Sequence, residues 1–139
     1  MQTNTEQNKA LVMRFNKEVI EQGNRESFKE LVSDNVHNHA AAPGSPSGPE
    51  SMSHFLFEIL RKGFPDIQVE ILDQVAEGDK VTSRKILRGT HRGEFLGIAA
   101  TGKKMEIHVI DIIRLENGKY AEHWGMSNIP EVLAQLAAK

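Results

Sequence analysis

The chain contains no cysteine. Disulfides, thiolate zinc sites and thiol nucleophiles are thereby excluded, and the composition suits a reducing cytoplasm. It also lacks a charge excess of either sign: 17 Lys and Arg stand against 19 Asp and Glu. With no basic patch, nucleic acid is not an expected partner. No apolar run approaches the roughly 20 residues of a membrane span. The opening MQTNTEQNKA is polar, so no cleaved signal is expected there. There is no internal repeat, no G-x-S-x-G elbow, no P-loop and no dinucleotide fingerprint. His37 and His39 are two apart and share a face if extended. No carboxylate or third histidine follows at a metal-motif spacing, and no metal is expected.

What remains is 139 residues, enough for one domain with a core and a pocket. The first nine residues read as a flexible tail. From Ala10 to Gln22, Leu11, Val12, Phe15, Val19 and Ile20 fall at helical spacing. Gly23 ends that helix, and Asn24 caps a second one burying Phe28, Leu31 and Val32. "NVHNHAAAPGSPSGPE" holds turn residues at loop density, after a short extended piece over Val36–His39. Pro49 opens a third helix in its first turn, with Met52, Phe55, Leu56, Ile59 and Leu60 inward and Gly63 as its stop.

From Pro65 the period changes to two. Ile67, Val69 and Ile71 alternate with polar residues, and Glu77–Asp79 turns the chain into a strand over Lys80–Gly89. A glycine-rich connection leads to Met105–Leu115. Asn117-Gly118 then turns it into Tyr120–Met126, and a helix over Pro130–Ala138 closes the chain. Helices followed by an antiparallel meander predict the α+β class, with a curved sheet wrapped around the N-terminal helices and a cavity between them.

Met105–Leu115 carries the sharpest chemical signal. Met105, Ile107, Val109, Asp111, Ile113 and Leu115 share one face, and Asp111 alone among them is polar. A buried carboxylate needs hydrogen bonds or a task. Apolar surroundings would raise its pKa and suit it to proton transfer. Pairing with Arg84 or Arg88 is the structural alternative. Its cross-strand neighbour depends on the turn. A two-residue turn at Asn117-Gly118 sets Asp111 opposite Trp124, and a three-residue loop sets it opposite His123. Trp124 offers a stacking surface for a planar ligand or a core contact. Phe15, Phe55 and Phe64 are core candidates that can also wall a pocket.

"FPD" (64–66), "EGDKV", "GTHRGEFLGI", "TGKK", "DIIRLENGK" and "EHWG" occur in an order that resembles the SnoaL-like polyketide (ester) cyclases. These belong to the nuclear-transport-factor-2-like superfamily, and the resemblance runs from about Leu11 to Leu136. It implies a cone-shaped α+β barrel with a deep apolar pocket. It also implies a homodimer or larger assembly built on the outer face of the sheet. The implied chemistry is cofactor-free: an acid removes a proton next to a carbonyl of a polyketide ester, and an intramolecular aldol step closes a ring. The ligand would be a small apolar or aromatic carbonyl compound. Asn38 matches a pocket asparagine of the family. Asp111 falls where the family carries a pocket histidine, and Gly125 where it carries the catalytic aspartate; if both line the pocket they share a face, which selects the three-residue loop and sets His123 beside Asp111. This implies that acid–base capacity has moved to Asp111 with His123, with Asn38 and Arg84 steadying an oxyanion and Phe15, Phe55, Phe64, Trp124 and Gly125 binding substrate. A non-catalytic apolar-ligand binder is one alternative. Another reaction of the fold, such as epoxide hydrolysis or dehydration, is a second.

Overall fold

A computed structural model describes residues 4–41 and 43–138. Residues 1–3 of the expected tail and Ala42 of the expected loop lie outside the described residues. Helix α1, Asn4–Arg14, begins inside the expected tail and continues as a wider π-helical segment over Phe15–Glu21. Its middle is tied down: Gln74 donates to the carbonyl of Lys9 at 3.2 Å. The helix buries Val12, Phe15, Val19 and Ile20, and Gly23, at φ +70°, ends it in the left-handed conformation that glycine tolerates. The Asn24 side chain accepts from the Ser27 amide and caps α2, Arg25–Leu31. Strand β1, Val32–Asn38, follows directly and is longer than the extended piece expected. Helix α3 starts with Pro49 in its first turn, runs over Pro49–Ser53 and continues through a π-helical His54–Leu60 and Arg61–Gly63. The meander is β2 (Gln68–Glu77), β3 (Lys80–Thr90), β4 (Lys104–Glu116) and β5 (Lys119–Ser127). Helix α4, Ile129–Ala137, buries Val132 and Leu136.

The five strands form one curved sheet in the order β1-β5-β4-β3-β2. β2 to β5 pair antiparallel, but β1 adds to the β5 edge in parallel, so the sheet is mixed. β1 and β2 are its two edges and do not pair with each other, so the barrel is open. Alternate residues of β3 and β4, such as Val81, Leu87, Ile107 and Ile113, face the helices and join Val12, Val19 and Leu60 in one core.

The β4–β5 hairpin decides the site. Asn117 (φ 53°) and Gly118 (φ 73°) both lie in the left-handed region, as a two-residue type I′ turn requires. Accordingly Glu116 faces Lys119 and Leu115 faces Tyr120. The register then shifts: Arg114 faces Glu122 and Asp111 faces Gly125. Ala121 is thus one extra residue on β5, a β-bulge. The three-residue loop selected from the resemblance is not formed, and neither expected partner, Trp124 nor His123, lies opposite Asp111, because the bulge supplies the change of parity that the loop was expected to give. A one-residue slip exchanges the two faces of a strand. The bulge therefore lets Tyr120, His123 and Gly125 all line the interior.

Candidate active site

Between the sheet and helices α1 and α3 lies a cavity of about 440 Å³. Its walls are apolar and include Phe15, Phe55, Leu56, Ile59, Leu87 and Ile107. Both π-helical segments contribute to the wall, through Phe15 and through Phe55, Leu56 and Ile59. Insertions of this kind recur at functional sites because they re-aim side chains within a helix.

Four polar residues lining the cavity, Lys85, Asp111, His123 and Asn38, form a continuous chain with Asn16 behind them. Asn16, buried on α1, donates from its amide to the Val12 carbonyl at 2.8 Å. That bond fixes the amide, so Oδ1 faces the sheet and accepts from Lys85 Nζ at 2.7 Å. Lys85 is 4 % exposed and Asp111 3 %. Their ion pair spans 3.2 Å from Nζ to Oδ2. The same Oδ2 lies 3.4 Å from His123 Nε2. The other ring nitrogen, Nδ1, is 2.8 Å from Asn38 Oδ1. The Ala40 backbone N–H also donates to Asn38 Oδ1, at 3.0 Å, which identifies that atom as the oxygen. Nδ1 of His123 therefore carries a proton, and Nε2, beside the carboxylate, is the position left for proton exchange.

Asp111 holds two opposed influences. Burial pushes its carboxyl up, but the Lys85 ammonium and the His123 hydrogen bond together outweigh this and hold it below the ordinary carboxylate value. The raised pKa expected from an apolar stripe is thus overturned by a cation on the neighbouring strand, and Asp111 is ionised at neutral pH. Its Oδ2 is shared between Lys85 and His123, while Oδ1 is buried without a hydrogen-bond partner. Tyr120 packs on Phe15 at 4.8 Å between ring centroids and faces His123 at 6.1 Å. Its burial, and secondarily the Asp111 charge, push the phenol well above its usual pKa, so it stays neutral. Among the described residues no group of three or more His, Asp or Glu converges as a metal ion would require.

A family model for SnoaL-like polyketide cyclases matches residues 10–136. The chain belongs to the SnoaL-like polyketide cyclase family. Solved structures share its fold. A protein of Jannaschia sp. CCS1, provisionally named a SnoaL-like polyketide cyclase, is 23% identical over 100% of this chain and 97% of its own, with a TM-score of 0.88. IdmH of Streptomyces antibioticus, provisionally a polyketide cyclase, is 28% identical over 95% of this chain and 99% of its own, at 0.80. AclR of Streptomyces galilaeus, provisionally a hydroxylase, is 26% identical over 95% and 96%, at 0.83. No curated protein matches the chain significantly.

Within this SnoaL-like frame the expected site residues divide. Asp111, His123, Asn38, Gly125, Phe15 and Phe55 all line the cavity. Asn38 holds the imidazole of His123, a different task from steadying an oxyanion. Arg84 is on the outer face of the sheet, exposed and paired with Asp73 at 2.7 Å, because its neighbours Ser83 and Lys85 take the two inward positions of β3. Phe64 is buried at the other end of the core, against Phe95 and His91. Trp124 also points outward and stacks on His39, 4.8 Å between centroids and 4° from parallel. At Gly125 an added Cβ would lie 2.9 Å from His123 Cε1 and 3.1 Å from Nε2. The histidine ring thus occupies the space in front of the position where the family resemblance places an aspartate. Lys85, Asn16 and Tyr120 were missed. Lys85 was within reach of the pattern, since Val81, Ser83, Lys85 and Leu87 alternate on one face, with two polar members amid apolar ones.

Proposed function

We propose that this chain is a cofactor-free acid–base catalyst. In this reading it takes a proton from the carbon next to a carbonyl and closes a ring by intramolecular aldol reaction, or isomerises, on a polyketide-like ester. The observation that carries the reading is Asp111: an ionised carboxylate at the polar end of an apolar cavity, with one oxygen held by Lys85 and His123 and the other without a protein partner. Asp111 takes the proton, and His123, oriented by Asn38, returns one through Nε2. The apolar walls desolvate the ligand and fit a small aromatic carbonyl compound. A homodimer built on the outer sheet face, where Trp124 and Ile110 lie, completes the proposal.

The test is loss of an anthraquinone-type polyketide ester with wild-type protein, the Asp111→Asn variant and a no-protein control. Acceleration by the wild type that disappears in the variant supports the reading. No acceleration by the wild type sinks it. A second reading, a non-catalytic binder of apolar ligands, is favoured by one specific feature. The Lys85 ion pair lowers the basicity of Asp111, which a binder tolerates and a base must overcome.

A further inference from the structure

The cavity end contains a cation for which the family resemblance supplies no role. A lysine ammonium has three N–H donors. Among the described residues, two acceptors lie beside Lys85 Nζ: Asn16 Oδ1 at 2.7 Å and Asp111 Oδ2 at 3.2 Å. The third N–H is left over, and Lys85 lines the cavity. Beside it, Asp111 Oδ1 is a buried acceptor with no donor. A buried ion pair that served folding alone would be expected to use both carboxylate oxygens, because unsatisfied buried charge is strongly unfavourable. Here one free donor and one free acceptor belong to the same ion pair, and the lysine is held from behind by Asn16, whose own amide is fixed on Val12.

We propose that Lys85 is a further catalytic residue, whose ammonium holds the ligand's carbonyl oxygen and stabilises the enolate that forms as Asp111 takes the adjacent proton. The C–H bond breaks and its proton passes to the Asp111 carboxylate. The electron pair becomes the new C=C bond, and the carbonyl π pair moves onto the oxygen facing Lys85. The proton then returns to carbon, or to the new alkoxide once the enolate carbon has attacked an internal carbonyl. A preorganised cation in a water-poor cavity acts where charge develops. It also offsets the low basicity that the same ion pair imposes on Asp111, since one group weakens the base and stabilises the product of its action. The complementary ligand end carries an acceptor and a donor on the same short segment, as does the enol of a 1,3-dicarbonyl compound.

The inference rests on the acid–base reading of the cavity, but its test does not need turnover. Benzoylacetone, a 1,3-diketone, is titrated against wild-type protein beside butyrophenone, which has the same carbon skeleton and one carbonyl. The near-ultraviolet spectrum reports the enol and enolate fraction of the bound diketone. Wild type is expected to bind benzoylacetone at least about tenfold more tightly than butyrophenone and to enrich its enol or enolate form. Lys85→Met should weaken benzoylacetone binding far more than butyrophenone binding and lose both the preference and the spectral change. Equal affinities in the wild type, or a preference that survives in Lys85→Met, would overturn the assignment. If Lys85→Met does not fold, the two-ligand comparison on wild type decides alone. A preserved preference without turnover of the polyketide ester sinks the ring-closure reading and leaves Lys85 in place. Turnover without the preference does the reverse.

Discussion

Replacing Gly125 by alanine tests the geometry most sharply, because its effect should change sign with the residue at position 123. The backbone does not forbid the substitution, since Gly125 is not among the positive-φ glycines. The obstacle is the His123 ring. The new Cβ would stand 2.9 Å from Cε1, against 3.4 Å or more for ordinary contact, so the imidazole must retreat by about 0.5 Å. It cannot retreat freely, because Nδ1 is held by Asn38 at 2.8 Å. Losing or stretching that bond removes about 0.5–1.5 kcal/mol, and an off-rotamer ring adds a similar amount. Against this, alanine restricts the unfolded chain and returns about 0.4–1 kcal/mol. The net is a destabilisation of about 1 kcal/mol, a fall of roughly 4 °C in Tm for a domain of this size. In a His123→Ala background the obstacle is gone, and Gly125→Ala should stabilise by about 0.4–1 kcal/mol. Thermal and urea unfolding of the four proteins of this cycle measure the coupling directly. If Gly125→Ala shifts stability with the same sign in both backgrounds, the imidazole does not occupy the space in front of position 125.

Three further outcomes follow from the same groups. Asp111 has a folded pKa below its unfolded value of about 3.9, so the unfolded chain binds the proton first. Its contribution to stability is complete above about pH 4 and is lost as pH falls through the folded value. Urea midpoints from pH 6 to pH 3 should fall less steeply for Asp111→Asn than for wild type. Tyr120 is the chain's one tyrosine, and its pKa is raised. The folded protein should show no phenolate absorbance at pH 10.5, whereas the denatured chain titrates near 10. A normal titration in the folded state would refute its burial beside Asp111. Arg84→Ala removes only an exposed pair with Asp73, so unfolding should shift by less than about 1 kcal/mol, and ester turnover should not change.

Helices α1 to α3 were legible from their periodicity and from four boundary residues, Gly23 and Gly63 as stops and Asn24 and Pro49 as starts; the start of α1 carried no such residue and fell inside the expected tail. The meander was legible from its period, and Asp111 from being the one polar residue on an apolar stripe. The failures share a cause. Arg84 and Trp124 were assigned to the pocket on residue type, but which face a strand residue takes depends on register, and register is set between strands. Phe64 is as apolar as Phe15 and Phe55, and nothing local tells one end of a core from the other.

The amino-acid sequence by itself determined the order and kind of elements, the α+β class and a buried carboxylate at position 111. These follow from periodicity, from turn residues and from the free energy of removing apolar surface from water, all of which are written along the chain. The tertiary structure alone decided that Ala121 forms a bulge and that His123, not Trp124, turns inward. It also decided that a lysine 26 positions away in sequence would meet Asp111 and reverse the expected direction of its pKa. Those outcomes depend on distances of a few ångströms between groups far apart in sequence. Electrostatic and packing energies change sign over such distances, and no property of a single segment encodes them.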